Sequence, residues 1–192
     1  MLETSILGRT GLEATVAGLG AGGHSRLGLS RGKDAAHAVR VVQAALDLGV
    51  RHVDTAATYG TEEVVGRALE GRRDGVVLSS KLPITAGPSG QAANNGRPAT
   101  AADIARWAEE SLRRLRTDRI DILYLHAVPP ERYEAARDEL VPVLERLKQQ
   151  GAIRAIGISE RFKDDTDHGM LRLALEDGCW DVVMLGFNLV NQ

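Results

Sequence analysis

The chain holds one cysteine, Cys179, in 192 residues, so no disulfide can form within it. Cys179 stands beside Trp180 and reads as a packed thiol with no chemistry of its own. Aromatic residues are scarce, and no apolar run approaches the roughly 18 residues that a membrane-crossing helix needs. Neither sign of charge dominates. A formal net charge of −2 argues against a nucleic-acid partner and against an anionic membrane surface. The amino-terminal Met1-Leu2-Glu3-Thr4 lacks the basic and then apolar segments of a signal peptide, which predicts a cytoplasmic protein. Metal ligation is not expected, because His37, His52 and His168 show no ligand spacing and no cysteine cluster accompanies them.

What is present is an alternation of short apolar runs with amphipathic segments. Strands are expected at 15–19, 50–53, 76–80, 120–125, 153–158 and 182–185, and helices near 34–48, 61–69, 101–115, 141–150 and 170–176. Such alternation predicts an α/β fold with a parallel sheet. Thr61-Glu62-Glu63 reads as a helix start, with a hydroxyl able to cap the first turn and two acids at its positive end. Pro142 suits the first turn of the helix at 141–150, where its missing N–H costs nothing. Residues 82–100 form a long loop rich in glycine and asparagine that leaves the sheet right after Lys81. Loops of that length are commonly functional, so this one is expected to shape a substrate pocket, with 161–168 on its other side.

Four residues fall where strands run out, the edge at which parallel α/β folds bind ligands. Asp54 ends one strand and Tyr59 follows it on the turn; Lys81 and His126 end two others. Each has a plain alternative: Asp54 can tie down a turn, Tyr59 can pack, and a lysine or histidine flanking a strand can be a solvated end. Together they make a proton-delivery set. A free phenol has a pKa of about 10. A nearby ammonium is expected to bring that down, a carboxylate to keep the amine charged, and the imidazole to donate to a substrate oxygen. An oxygen that gains negative charge when hydride reaches its carbon needs such a device. No side chain supplies hydride, so a nicotinamide cofactor is implied.

The chain resembles an aldo-keto reductase. The resemblance rests on Leu7-Gly8-Arg9-Thr10-Gly11-Leu12 and Gly18-Leu19-Gly20; on Asp54-Thr55-Ala56 with Tyr59-Gly60 and Gly66; and on Ser80-Lys81. It continues through Ser111-Leu112, Leu115, Asp118, Ile120-Asp121 and His126 to Leu147, Gly151, Ile153 and Gly157-Ile158-Ser159. It implies a parallel (β/α)8 barrel of the TIM type that reduces aldehydes and ketones with NADPH, NADH being the alternative. Residues 1–192 would be a single domain with an amino-terminal β-hairpin and about six β/α units. By position Tyr59 resembles the general acid, Asp54 and Lys81 the pair that tunes it, and His126 the group that orients the carbonyl. Ser159 and Asn188 resemble residues that hold the nicotinamide carboxamide, and Asp54 and Gly22 are placed on the cofactor side as well.

Three departures stand out: Glu160 replaces the asparagine usual after Ser159, Met184 replaces a glutamine, and two β/α units are missing. The last predicts either a fragment of a longer enzyme or an open barrel edge covered by another subunit. A non-catalytic nucleotide-binding or regulatory barrel is the competing function. Gly18-Leu19-Gly20-Ala21-Gly22-Gly23 has the spelling of a dinucleotide fingerprint but not its context. Residues 24–32 read as loop rather than helix, and 38–43 hold no acid for a ribose. These glycines are read as close backbone packing beside the site.

Overall fold

The computed structural model describes residues 2–189. A hairpin opens the chain, β1 (Thr4–Leu7) and β2 (Leu12–Thr15), paired antiparallel from Leu7 against Leu12 to Thr4 against Thr15. Six parallel strands follow: β3 (Leu19–Gly20), β4 (His52–Asp54), β5 (Val77–Pro83), β9 (Ile120–Val128), β10 (Ile153–Glu160) and β11 (Val182–Met184). They form one curled sheet in the order β11-β10-β9-β5-β4-β3, a half-barrel. The connecting helices are α1 (Ala35–Asp47), α2 (Glu62–Ala68), α3 (Ala101–Leu115), α4 (Tyr133–Gln149) and α5 (Gly169–Asp177).

Period-two alternation along the strands divides the apolar residues between two cores. Leu78 and Leu82 of β5, Leu123 and Leu125 of β9, and Ile156 and Ile158 of β10 face outward to the helices. Inward-facing Val77, Ile122, Tyr124 and Ala155 pack with Leu12 and Ala14 of the hairpin, which therefore plugs the foot of the half-barrel. The helices meet the outer face along regular stripes. Asp34 caps α1 by accepting from the His37 N–H at 2.7 Å, and Ala38, Val42 and Leu46 turn inward. Thr100 and Asp103 form a capping box on α3, which buries Ile104, Trp107, Ala108 and Leu115. Among the described residues no helix is long and apolar enough to cross a membrane.

Several local expectations give way. Residues 15–19 are not one strand, because Thr15 belongs to the hairpin and its hydroxyl donates to the Ala17 carbonyl at 2.8 Å. Helix α4 begins at Tyr133, not at Val141, so Pro142 lies inside it. Pro142 and Asp138, whose carbonyl loses its partner, are both exposed, and water can take that carbonyl. Residues 26–31 form 3-10 turns broken by a kink at Leu27 and Gly28, both at positive φ, and the long segment after Lys81 is not structureless. It folds into a three-stranded antiparallel sheet of β6 (Thr85–Ala86), β7 (Ala92–Ala93) and β8 (Arg97–Pro98). The Trp107 indole pins this sheet to α3 by donating to the Gly90 carbonyl at 3.2 Å.

Candidate active site

The inward parity that puts Val77 and Ile122 against the plug brings Lys81 and His126 to the carboxyl rim on the same side of the sheet. Asp54 ends β4, where the chain is stitched to its neighbours: the Ala21 N–H donates to the Asp54 carbonyl at 2.7 Å and the Thr55 N–H to the Ser79 carbonyl at 2.9 Å. Tyr59 follows on a turn whose Ala57 N–H donates to the Lys81 carbonyl at 3.0 Å. Its ring lies over Gly22, where a Cβ would come within 2.5 Å of Tyr59 Cε2. Helix α2 starts where expected, but the Thr61 hydroxyl does not cap it; it pairs with the Thr55 hydroxyl at 2.8 Å instead.

Lys81 is 2% exposed. Its Nζ makes a short ion pair with Asp54 Oδ2 and donates to the Thr55 carbonyl at 3.0 Å. Ser79 Oγ donates to Asp54 Oδ1 at 2.7 Å, and His52 Nε2 lies 3.2 Å from Ser79 Oγ. This ladder below the rim was missed from sequence. Its signal was there, since His52 precedes Asp54, and Ser79 precedes Lys81, by the two-residue step that keeps side chains on one face of a strand. Tyr59 Oη is 3.4 Å from His126 Nε2, and the two rings meet edge to face with centroids 5.5 Å apart. Lys81 Nζ is 5.2 Å from the centre of the Tyr59 ring.

The electrostatics reverse one expectation. The Tyr59 phenol is pushed above its ordinary pKa, by burial first and by the Asp54 charge second. The acidification expected from Lys81, whose ammonium is held by Asp54 and the Thr55 carbonyl, is outweighed, and the net shift is upward. The lysine itself is pulled down by burial, with Asp54 opposing. Burial and then the Lys81 charge lower His126 to about 4, so its imidazole is neutral at neutral pH. His126 Nδ1 is buried with no hydrogen-bond partner among the described residues.

The other candidates divide. Ser159 is the last but one residue of β10, near the site, but its hydroxyl accepts from the Ala127 N–H at 2.8 Å and faces the Leu125 carbonyl at 3.4 Å. It thereby braces Ala127, a left-handed residue with φ of 52° directly after His126. Glu160 is buried and fully engaged: Oε1 accepts from the Gly186 N–H at 2.6 Å, and Oε2 lies 2.8 Å from His168 Nδ1. Asn188 is exposed, past the end of β11. Cys179, read as a packed thiol, is only half-buried.

Two cavities share Tyr59 and His126. The smaller, about 230 Å³, is lined also by Lys81, Ser159, Glu160, Phe162, Met184, Leu185 and Gly186. The larger, about 650 Å³, lies toward the small sheet, with Thr85, Asn94, Asn95 and Gly96 in its wall, and toward the turns after β9 and β10. Both segments expected to flank a pocket do so.

Comparison with known proteins bears on the family and the fold. The chain is 36% identical over 167 residues to an aldo-keto reductase of Bacillus subtilis, YhdN, a match that covers 82% of this chain and 47% of that protein. It superposes with a TM-score of 0.75 on a putative aldo-keto reductase from Pseudomonas aeruginosa, 31% identical, over 98% of this chain and 69% of that one. An aldo/keto reductase from Klebsiella pneumoniae, in complex with NADP and acetate, is 32% identical with a TM-score of 0.60, over 87% of this chain and 53% of that one. The chain thus spans about half the length of the curated relatives it matches. The model of the aldo/keto reductase family matches residues 18–186, and with that the chain belongs to the aldo/keto reductase family.

Proposed function

We propose that this chain carries the proton-transfer half of an NADP(H)-dependent carbonyl reductase, with Tyr59 as general acid in reduction and general base in the reverse direction. The observation that carries this is the meeting of Asp54, Lys81, Tyr59 and His126 at one rim of the sheet, around cavities that Tyr59 and His126 share. The Klebsiella relative's NADP supports the choice of cofactor, with NADH as the alternative.

The smaller cavity fits the nicotinamide end of such a cofactor. Phe162, Met184 and Leu185 offer an apolar wall to a flat ring, and Ser159 stands at its edge. Gly22 contributes by seating Tyr59. When bound, the nicotinamide would supply hydride to the carbonyl carbon.

The protein's own groups handle the oxygen. The long contact of 3.4 Å between Tyr59 Oη and His126 Nε2 marks the place where a carbonyl oxygen could take a hydrogen bond from each. A neutral His126 donates that bond without competing for the proton. A phenol with a raised pKa keeps its proton at neutral pH, so the acid is loaded before the reaction starts. An alkoxide is far more basic than a phenolate, so the proton leaves Tyr59 once negative charge develops. Lys81, held by Asp54, then lies beside the phenolate and stabilises it.

The test is titration of NADPH into the chain, followed by an aldehyde, for the native protein and for Tyr59→Phe. Loss of about 10²–10⁴-fold in reduction rate with nucleotide binding kept is expected. Equal rates would remove Tyr59 from the chemistry. Nucleotide binding without turnover in either protein would favour the non-catalytic barrel.

A further inference from the structure

The larger cavity holds a charge imbalance that carbonyl reduction does not require. Its wall includes three cations, Arg132, Arg161 and Lys163, against one acid, Glu131. This local excess runs against a chain whose net charge is −2. Arg161 is paired with Asp164 of its own turn, whereas the Arg132 and Lys163 side chains have no ion-pair partner among the described residues. Arg132 comes from the turn after β9 and Lys163 from the turn after β10, while the β5 side contributes uncharged Thr85, Asn94 and Asn95. The same cavity has Tyr59 and His126 in its wall.

Resting on the reading of Tyr59 as proton donor, we propose that this cavity takes a short carbonyl compound with an anionic tail, a carboxylate or a phosphate ester. Arg132 and Lys163 hold the tail while the carbonyl oxygen meets Tyr59 and His126. The volume of about 650 Å³ suits a small molecule of this kind. Both side chains are exposed, so with a neutral substrate they keep their water and do nothing to place it. An anionic tail neutralises them, and charge-assisted hydrogen bonds from a guanidinium and an ammonium would fix the direction in which the substrate enters.

Binding is tested apart from turnover. 4-Hydroxybutyrate, glycerol 3-phosphate and butan-1-ol are titrated into the full chain, following the amide resonances of Gly96 and Ala127 in the cavity wall. The acids should bind more tightly than butan-1-ol, and an Arg132→Met, Lys163→Met double variant should weaken them about ten-fold. The tighter acid identifies carboxylate or phosphate as the tail. Equal binding of butan-1-ol, or acids unaffected by the double variant, would overturn the proposal. Turnover then separates this inference from the one beneath it. Reduction of butyraldehyde and succinic semialdehyde with equal kcat/KM would keep the reductase reading and overturn the anionic substrate. Anion binding with no reduction of either aldehyde would keep the anion site and remove the reductase.

Discussion

Gly22→Ala would displace the proposed acid by a single methyl group. A Cβ at that position would lie 2.5 Å from Tyr59 Cε2 and 2.8 Å from Cδ2 and Cζ. Non-bonded carbons settle at about 3.5–4.0 Å, so the ring must retreat by about 1 Å. Gly22 is not among the left-handed glycines, so its backbone accepts alanine and the collision is the whole perturbation. Misplacing a reacting group by about 1 Å costs about 10²-fold in rate. The expected result is a kcat for aldehyde reduction lowered by about that factor, with NADPH affinity, read by nicotinamide fluorescence, little changed. A readout without turnover is the NMR shift of the His126 ring protons, which the edge-on Tyr59 ring perturbs and which should move in the variant. An unaltered kcat and unmoved His126 signals would refute the reasoning. Lost NADPH affinity with kcat retained would instead make Gly22 a cofactor contact.

Acid should weaken the fold through His126. Its imidazole titrates at about 4 when folded, against about 6.5 in an unfolded chain. Between those values the unfolded chain binds the extra proton, so stability is full above about pH 6.5 and falls as pH drops toward 4, by about 3 kcal/mol at most. His126→Gln should flatten that limb in urea unfolding across the same window, and identical slopes in the two proteins would contradict the assignment. Glu160→Ala should lower stability by about 2 kcal/mol, because it strips the Gly186 N–H and His168 of a shared acceptor. A urea midpoint unchanged by that substitution would show that the end of β11 is held by other contacts.

The meeting of the candidate residues was legible in the sequence because the strand-borne ones obey strand parity. Asp54, Lys81 and His126 each end an apolar run, and parallel pairing brings such ends to one rim without further information. The direction of the Tyr59 shift was not legible, since it depends on how deeply the phenol is buried and how near the Asp54 charge lies. Sequence places an amine near a phenol; only packing shows the burial that outweighs it. Glu160 was read as a lost amide, whereas its partners, His168 and Gly186, lie on different segments that no local pattern joins. Pro142 suggests a helix boundary that α4 does not have; its exposed position, set by the buried Leu140, Val143 and Leu144 beside it, lets the helix run through. The small sheet after Lys81 has strands of two residues each, too short for any periodicity to register.

The hairpin under the half-barrel acts on a candidate site at the other end of the strands. Val77 and Lys81 share one face of β5, and Ile122 and His126 share one face of β9. Apolar feet seated on Leu12 and Ala14 therefore index the polar heads. If β5 slipped by one residue, the rim would receive Ser80 or Leu82 in place of Lys81, and the ammonium would be driven among the helices. The greasy contact at the bottom is the key that lets each strand seat in only one way, and which side chain is presented at the top follows from it.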